Sequence, residues 1–347
     1  MDTRPIGDLT SNELFALLKH IGNTPLQPLS LIIGDRVHIT YLKLEGANPG
    51  RSIKIRTAYS LVRDLEDRAL LSEDSIIVES TSGNLGVALS MIAKAKGYRF
   101  LAVVDPKTTP ENIDTMRLLG AQIEMVEQLD RNGSYLLTRL EHIHRLCQSS
   151  SKYIWSNQYE NTANPHIHYT QTGPEIYRQM HGEVDAIFVA VSTGGTLAGI
   201  SRYFREVSPR TRIIGVDARG SVIFGAPPAP RKLTGIGSSR TSSFFQPEHY
   251  DAYCIVDDEE AFAFCRKLHD ETALKVGGSS GAVLAACTQY LKEHLEIQRS
   301  VCLCPDTGEN YTSSIFSDEW LSQQHLDVKT CCTPSLRLSN QSDLRRV

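Results

Sequence analysis

The chain has 347 residues, of which 41% are hydrophobic and 22% charged, and its formal net charge is −4. That is ordinary globular usage, long enough for two lobes with cores of their own, and the charge balance carries no nucleic-acid signature. With no basic, apolar leader at the N-terminus and no apolar run of roughly eighteen residues, the expectation is a cytoplasmic protein without a membrane span.

Taken in chain order, residues 1–10 are polar and expected to be loose, and Val37–Leu44 reads as a strand. Asn48-Pro49-Gly50 make a turn, Ser52 offers a helix cap, and Lys54 opens the helix that follows. The positive end of a helix helps depress a lysine pKa, so Lys54 could carry a Schiff base. An exposed helix-start lysine is the plain alternative. Ile76–Val78 form a short buried strand, and Leu85, Ala88, Leu89, Ile92 and Ala93 recur at helical spacing until Gly97. Between them lies Ser80-Thr81-Ser82-Gly83-Asn84. Hydroxyls and free amides at a helix start suit a carboxylate or phosphate, and so long a polar run exceeds what a cap requires.

A strand at 100–105 precedes a helix begun by Thr109 and Pro110, proline being well placed at the first helical position. GAQIEMV is the next strand and about Tyr135 to Cys147 the next helix, and Ser149-Ser150-Ser151 marks a crossing between lobes. Residues 153–305 continue the alternation, which predicts parallel sheets covered on both faces.

Within 185–204, Ser192-Thr193-Gly194-Gly195-Thr196 is a turn of unobstructed amides and hydroxyls between strand and helix, able to cradle a phosphate. It lacks the lysine of a triphosphate loop, and no GxGxxG opens a helix, which leaves a small phosphorylated cofactor. Gly277-Gly278-Ser279-Ser280-Gly281 opens one more helix, where Ser279 could face a ring nitrogen.

Eight cysteines are dispersed without regular spacing, as expected of reduced thiols. Cys302 and Cys304 are expected to point one to the core and one away, and Cys331 and Cys332 to lie in a tail. His142 and His144 diverge on a helix, as do His166 and His168 if helical, so no metal site is predicted. Beyond about Gln324 the chain turns polar.

These segments resemble the cysteine synthase family of pyridoxal-phosphate enzymes, the fold-type II or tryptophan-synthase-β-like group. The likeness runs from IGNTPL at Ile21 through KLEGANPG, ESTSGN, QYENTANPHIHYTQTGPEIY, STGGT, TGIGSS and GGSSGA to CPDTGENY at Tyr311. It implies a two-lobed α/β fold, each lobe a mostly parallel sheet flanked by helices. Residues 1–47 would pack with the large lobe, 48–152 form a small mobile lobe, 153–323 the large lobe and 324–347 a flexible tail. It also implies pyridoxal 5'-phosphate as cofactor and a homodimer. Lys54 would carry the cofactor and act as the catalytic base. Asn84 would bond its ring oxygen, Thr193, Gly194, Gly195 and Thr196 its phosphate, and Ser279 its pyridine nitrogen. Thr81, Ser82 and Gln158, with Ser80 at the loop edge, would take the substrate α-carboxylate, and Gly235 would border the cleft.

The implied reaction is β-replacement through an α-aminoacrylate, which a neutral serine at the ring nitrogen favours over transamination. Where sulfide-using members show GTGGT, QF and NPGGS, this chain has Ser192, Tyr159 and Arg51. Added polar groups suit a nucleophile that carries carboxylates, since such groups buried unpaired would weaken binding. ESTSGNLG, GRSIKIR and TGIGSSR resemble the branch that condenses O-phospho-L-serine with L-glutamate towards L-2,3-diaminopropionate, for siderophores or peptide antibiotics. Tyr159 and Ser192 would then help hold the second substrate, with Arg51, Arg219 and Arg240 as candidate anion contacts. The alternatives are a cysteine synthase using O-acetylserine or O-phosphoserine with sulfide, and a catalytically silent scaffold.

Overall fold

The computed structural model describes residues 5–131, 133–329 and 333–338. In chain order the elements are α1 (Ser11–Leu18), β1 (Leu26–Ile33), β2 (Arg36–Leu44), α2 (Lys54–Asp67), β3 (Ile76–Ser80), α3 (Asn84–Lys96), β4 (Arg99–Val104), α4 (Pro110–Leu118), β5 (Gln122–Met125), α5 (Leu136–Ser149) and β6 (Tyr153–Trp155). There follow α6 (Ala163–Ile167), α7 (Gly173–Gln179), β7 (Ala186–Ala190), α8 (Gly195–Val207), β8 (Arg212–Ala218), β9 (Ala252–Val256), α9 (Asp258–Thr272), α10 (Gly278–Glu293), β10 (Arg299–Cys304), α11 (Asp318–Gln323) and β11 (Ser335–Leu338). No helix among the described residues is long and apolar enough to cross a membrane.

Two units result. The first holds the residues up to Gly22 and Asn48–Ile167. Its parallel sheet has the order β5-β4-β3-β6. Every residue of β3 is buried: Ile77 faces a core with α2 and α3, while Ile76 and Val78 face Leu101, Val103 and Ile143. A strand covered on both faces reads as a continuous apolar run, which is what IIV shows. Thr109 caps α4 by accepting a hydrogen bond from the Asn112 amide, with Pro110 in the first turn. Gly97 ends α3 in the left-handed region at φ 78°.

The second unit holds Asn23–Ala47 and the chain from His168 onward. Its seven-stranded sheet has the order β11-β1-β2-β10-β7-β8-β9. From β2 to β9 the neighbours are parallel, whereas β1 runs antiparallel to both β2 and β11. Helix α10 is buried along most of its length and packs on α9 and the sheet. Each unit is therefore the mostly parallel, helix-flanked sheet that the sequence predicts.

Several boundaries differ from expectation. The serine run at 149–151 joins α5 to β6 inside the first unit, because β6 pairs with β3 from Ile76↔Tyr153 to Val78↔Trp155. The chain passes to the second unit only after Ile167. The N-terminal stretch up to Gly22 belongs with the first unit instead of the larger one, since α1 packs on α3 and Leu14 is fully buried. Pro5–Thr10 are not loose: Leu9 is buried and Thr10 forms a capping box with Glu13. Part of the expected tail is a strand, β11, with Leu336 buried in the core and opposite Leu31. Cys302 and Cys304 are both buried in one cluster, because residues two apart on a strand share a face. Cys331, Cys332 and the closing DLRRV lie outside the described residues.

Candidate active site

In the first unit the predicted turn places Lys54 as the first residue of α2. The buried Ser52 hydroxyl accepts a hydrogen bond from its backbone N–H at 3.3 Å. Gly50 (φ 79°) and Arg51 (φ 60°) both lie in the left-handed region, so Arg51 adopts at this point a conformation that favours glycine. Arg51 is exposed, whereas Ile55 is buried in the core of this unit.

At the carboxyl end of β3 the segment from Ser80 to Asn84 turns into α3. The Thr81 amide donates to Val103 at 3.0 Å, and Asn84 is the first helical residue. The Ser80 hydroxyl is buried without a hydrogen-bond partner. Gly86 makes room for this loop: a Cβ there would stand 2.7 Å from Cγ2 of Thr81 and 2.5 Å from Sδ of Met116. Ser82 is half-buried, and its carbonyl accepts from Asn112 Nδ2 at 3.4 Å. Gln158 is buried beside the loop, its Nε2 donating to the Ser80 carbonyl at 2.8 Å. Tyr159 is buried against Leu136 and Leu140 of α5.

The same sheet edge carries a cation that sequence motifs do not reveal. Arg139 of α5 is 7% exposed, with Nε 3.3 Å from Oδ2 of the buried Asp105, yet its Nε and Nη1 make no hydrogen bond. Asp105 follows β4, and Ser80 pairs with Val103 in the register, so both stand at the carboxyl edge of neighbouring strands. The available signal was an arginine among Leu136, Leu140 and Ile143 on the buried face of an amphipathic helix.

In the second unit Gly194, at φ 82°, caps α8, and Gly195 and Thr196 form its first turn. The first amides of a helix have no carbonyl partner within it and point outward with the positive end of the dipole. Ser242 holds the buried Thr193 by donating to its carbonyl. Thr196 Oγ1 meets His168 Nε2 at 3.2 Å, and the Nδ1 of that fully buried ring meets Thr172 Oγ1 at 2.9 Å. His168 begins a π-helical turn, so it acts here as a hydrogen-bonding partner of the glycine loop.

Ser192 turns its hydroxyl to the Gly237 carbonyl at 3.2 Å, while the Gly237 amide bonds Val191 at 2.7 Å. The residue replacing the family's first glycine thus ties this loop to TGIGSS. Gly235 is left-handed at φ 75°, and a Cβ on it would stand 3.9 Å from the hydroxyl of Ser279, which is buried in the first turn of α10. Behind TGIGSS, Ser221 Oγ accepts the Ser238 amide at 3.0 Å. Burial pushes the Asp217 carboxyl up to about 6, against the pull of hydrogen bonds from Ser221 and Ala218 and of the Arg231 charge. Arg219 is exposed and paired with Asp257, a surface ion pair. Arg240 is half-buried, its amide donating to Ser238 Oγ at 3.2 Å.

Residues 17–306 match the family model of pyridoxal-phosphate dependent enzymes. The chain belongs to that family. It is 42% identical over 304 residues to N-(2-amino-2-carboxyethyl)-L-glutamate synthase of Ralstonia nicotianae, covering 87% of this chain and 90% of that protein. Its fold is similar to a hydrogen sulfide-producing enzyme of Fusobacterium nucleatum (TM-score 0.78, 30% identity, 84% and 96% of the two chains). It is also similar to the O-acetylserine dependent cystathionine β-synthase of Helicobacter pylori (TM-score 0.78, 29% identity, 86% and 97%). The protein is thus a pyridoxal-phosphate-dependent β-replacement enzyme of the cysteine synthase fold.

The residues present suit the cofactor. The helix-start amides and threonine hydroxyls of 193–196, where the Gly195 amide reaches Thr193 Oγ1 at 3.5 Å, match a phosphate, and a lysine at a helix start matches an aldehyde. A Cβ at 235 would come into van der Waals contact with the Ser279 hydroxyl, which the glycine leaves clear.

Proposed function

We propose that the enzyme condenses O-phospho-L-serine with L-glutamate, releasing phosphate and N-(2-amino-2-carboxyethyl)-L-glutamate, as a step towards L-2,3-diaminopropionate for a siderophore or peptide antibiotic. The likeness to the Ralstonia synthase supports the reaction. The structural observation that carries it is Arg139, a buried guanidinium ion-paired with Asp105 through Nε and with an Nη1 that makes no hydrogen bond, at the edge of the Ser80–Ser82 loop's sheet. Hydrosulfide needs no such group. A departing phosphate and an arriving glutamate carboxylate are both anions that one guanidinium could serve in turn.

On this reading the cofactor, when bound, withdraws electrons from the amino acid's α-carbon and so labilises the Cα proton and the β-substituent. Asn84 and Ser279 would orient its ring, and Thr193, Gly194, Gly195 and Thr196 would hold its phosphate. The loop from Ser80 to Ser82, with Gln158, would receive the substrate α-carboxylate on amides and hydroxyls. The Lys54 amine would take the Cα proton and return it once the new bond at Cβ has formed. Tyr159, packed on α5, would act as a wall for the second substrate. Ser192 would shape the TGIGSS segment through Gly237 rather than reach substrate alone. The same reading takes the enzyme as a cytoplasmic homodimer.

Purified holoenzyme given O-phospho-L-serine with either L-glutamate or sulfide tests this, with O-acetyl-L-serine as an alternative donor and the products weighed by mass spectrometry. Phosphate release dependent on glutamate, with a product of the condensed mass, is expected. Product with sulfide alone would refute the reading in favour of a cysteine synthase.

A further inference from the structure

Glu79 is the one charged residue of β3 and is wholly buried. Its oxygens receive four hydrogen bonds, all from donors. Oε1 takes the Ser80 amide at 2.8 Å and the Trp155 indole at 3.2 Å; Oε2 takes the Ser156 hydroxyl at 2.7 Å and the Gln158 amide at 3.0 Å. A protonated carboxyl would have to donate, and of these four only the Ser156 hydroxyl could turn to accept, so the arrangement fits a carboxylate. Burial pushes its pKa up while the four hydrogen bonds draw it back.

The position of the four donors matters more than their number. Strands β3 and β6 pair by backbone only as far as Val78↔Trp155, with the Ser156 amide closing on the Val78 carbonyl at 3.2 Å. Beyond that point Glu79 spans the gap between two segments that bear the proposed carboxylate site. It grips the backbone of Ser80 on one side and of Gln158 on the other. The Gln158 side chain then returns to the Ser80 carbonyl at 2.8 Å, and its own carbonyl accepts from Asn164 Nδ2 at 2.7 Å. Asn164 Oδ1 accepts in turn from Thr57 Oγ1 at 3.4 Å, one turn along α2 from Lys54. A buried carboxylate is a costly way merely to hold strands already paired by their backbones, and an apolar residue would serve that end better.

We propose that Glu79 is a positioning residue for the first substrate, a buried anion that fixes Gln158 and the Ser80–Ser82 loop in the geometry that receives the α-carboxylate. The inference rests on the reading of that loop and Gln158 as the carboxylate site. It makes Glu79 a determinant of amino-acid affinity that does not itself touch substrate.

The test is Glu79→Gln, which keeps the shape but turns an amide NH2 towards two donors. Holoenzyme is titrated with O-phospho-L-serine by the change in its visible cofactor spectrum, and KM and kcat are measured separately. Dissociation constant and KM are expected to rise about 10- to 100-fold, with kcat changed less than about threefold and the resting spectrum kept. Ser156→Ala, which removes one donor, is expected to show the same split at about 3- to 10-fold. Thr81→Ala, at the loop itself, separates the two claims. If Thr81→Ala weakens substrate binding and Glu79→Gln does not, the inference is overturned and the carboxylate site stands. If neither weakens it, the site assignment fails and the inference with it. A loss confined to melting temperature or kcat, at unchanged dissociation constant, would mean a structural role and overturn the proposal. Should Glu79→Gln not fold, a wild-type dissociation constant in Ser156→Ala overturns it instead.

Discussion

Replacing Arg139 by lysine separates its two roles. The ammonium retains a charge for Asp105, so the penalty for stranding a buried carboxylate, about 3–5 kcal/mol, is avoided. The guanidinium fork is lost, and with it the N–H groups at Nε and Nη1 that make no hydrogen bond in the protein alone. A hydrogen bond from a charged donor contributes about 1.5–3 kcal/mol, so losing one such bond to an anionic substrate weakens binding about 10- to 100-fold. Initial rates measured while O-phospho-L-serine and L-glutamate are varied in turn should show KM raised by that factor for at least one of them. The melting temperature should stay within a few degrees of wild type. Wild-type KM values for both substrates in a folded Arg139→Lys enzyme would refute the argument that this cation is reserved for an anion.

Other outcomes follow from the same geometry. Lys43 is fully buried, and its Nζ donates to Glu175 at 2.9 Å, Gln179 at 2.9 Å and the Thr24 carbonyl at 2.8 Å. Lys43→Met should cost about 3–5 kcal/mol in denaturant unfolding, and Lys43→Met with Glu175→Leu should recover most of it. The Asp217 carboxyl rises from 3.8 unfolded to about 6 folded, so the native state holds the extra proton between those values. Its stability should therefore fall by about 3 kcal/mol as pH rises through that window, and Asp217→Asn should flatten the dependence in pH-resolved unfolding curves. Arg51→Gly relieves a left-handed arginine and should leave stability unchanged or raise it by about 1 kcal/mol. If Arg51 meets an anionic substrate, the same change raises that substrate's KM.

Local signals in the sequence located most elements, because turn and cap chemistry is local. Thr109-Pro110 and Gly97 bound helices where expected, and Lys54 opens α2 behind the Asn-Pro-Gly turn. What the sequence left hidden depends on partners far along the chain. Strand β11 is four residues whose pairing with β1 cannot be inferred from their own composition. Ser192, expected beside the second substrate, also donates its hydroxyl to the Gly237 carbonyl, forty-five residues on, a partner that its own segment does not reveal. Tyr159 and Arg139 acquire their setting only when α5 covers the sheet edge, and the donors that hold Glu79 come from Trp155, Ser156 and Gln158, more than seventy residues on. Arg219, a candidate anion contact, is paired at the surface with Asp257, a partner thirty-eight residues on.

Lys54 is the proposed carrier of the cofactor. Reduction of the holoenzyme with borohydride, followed by peptide mass spectrometry, should place a single pyridoxyl group on Lys54. A label on another lysine, or none on a protein that retains its visible band before reduction, would contradict it.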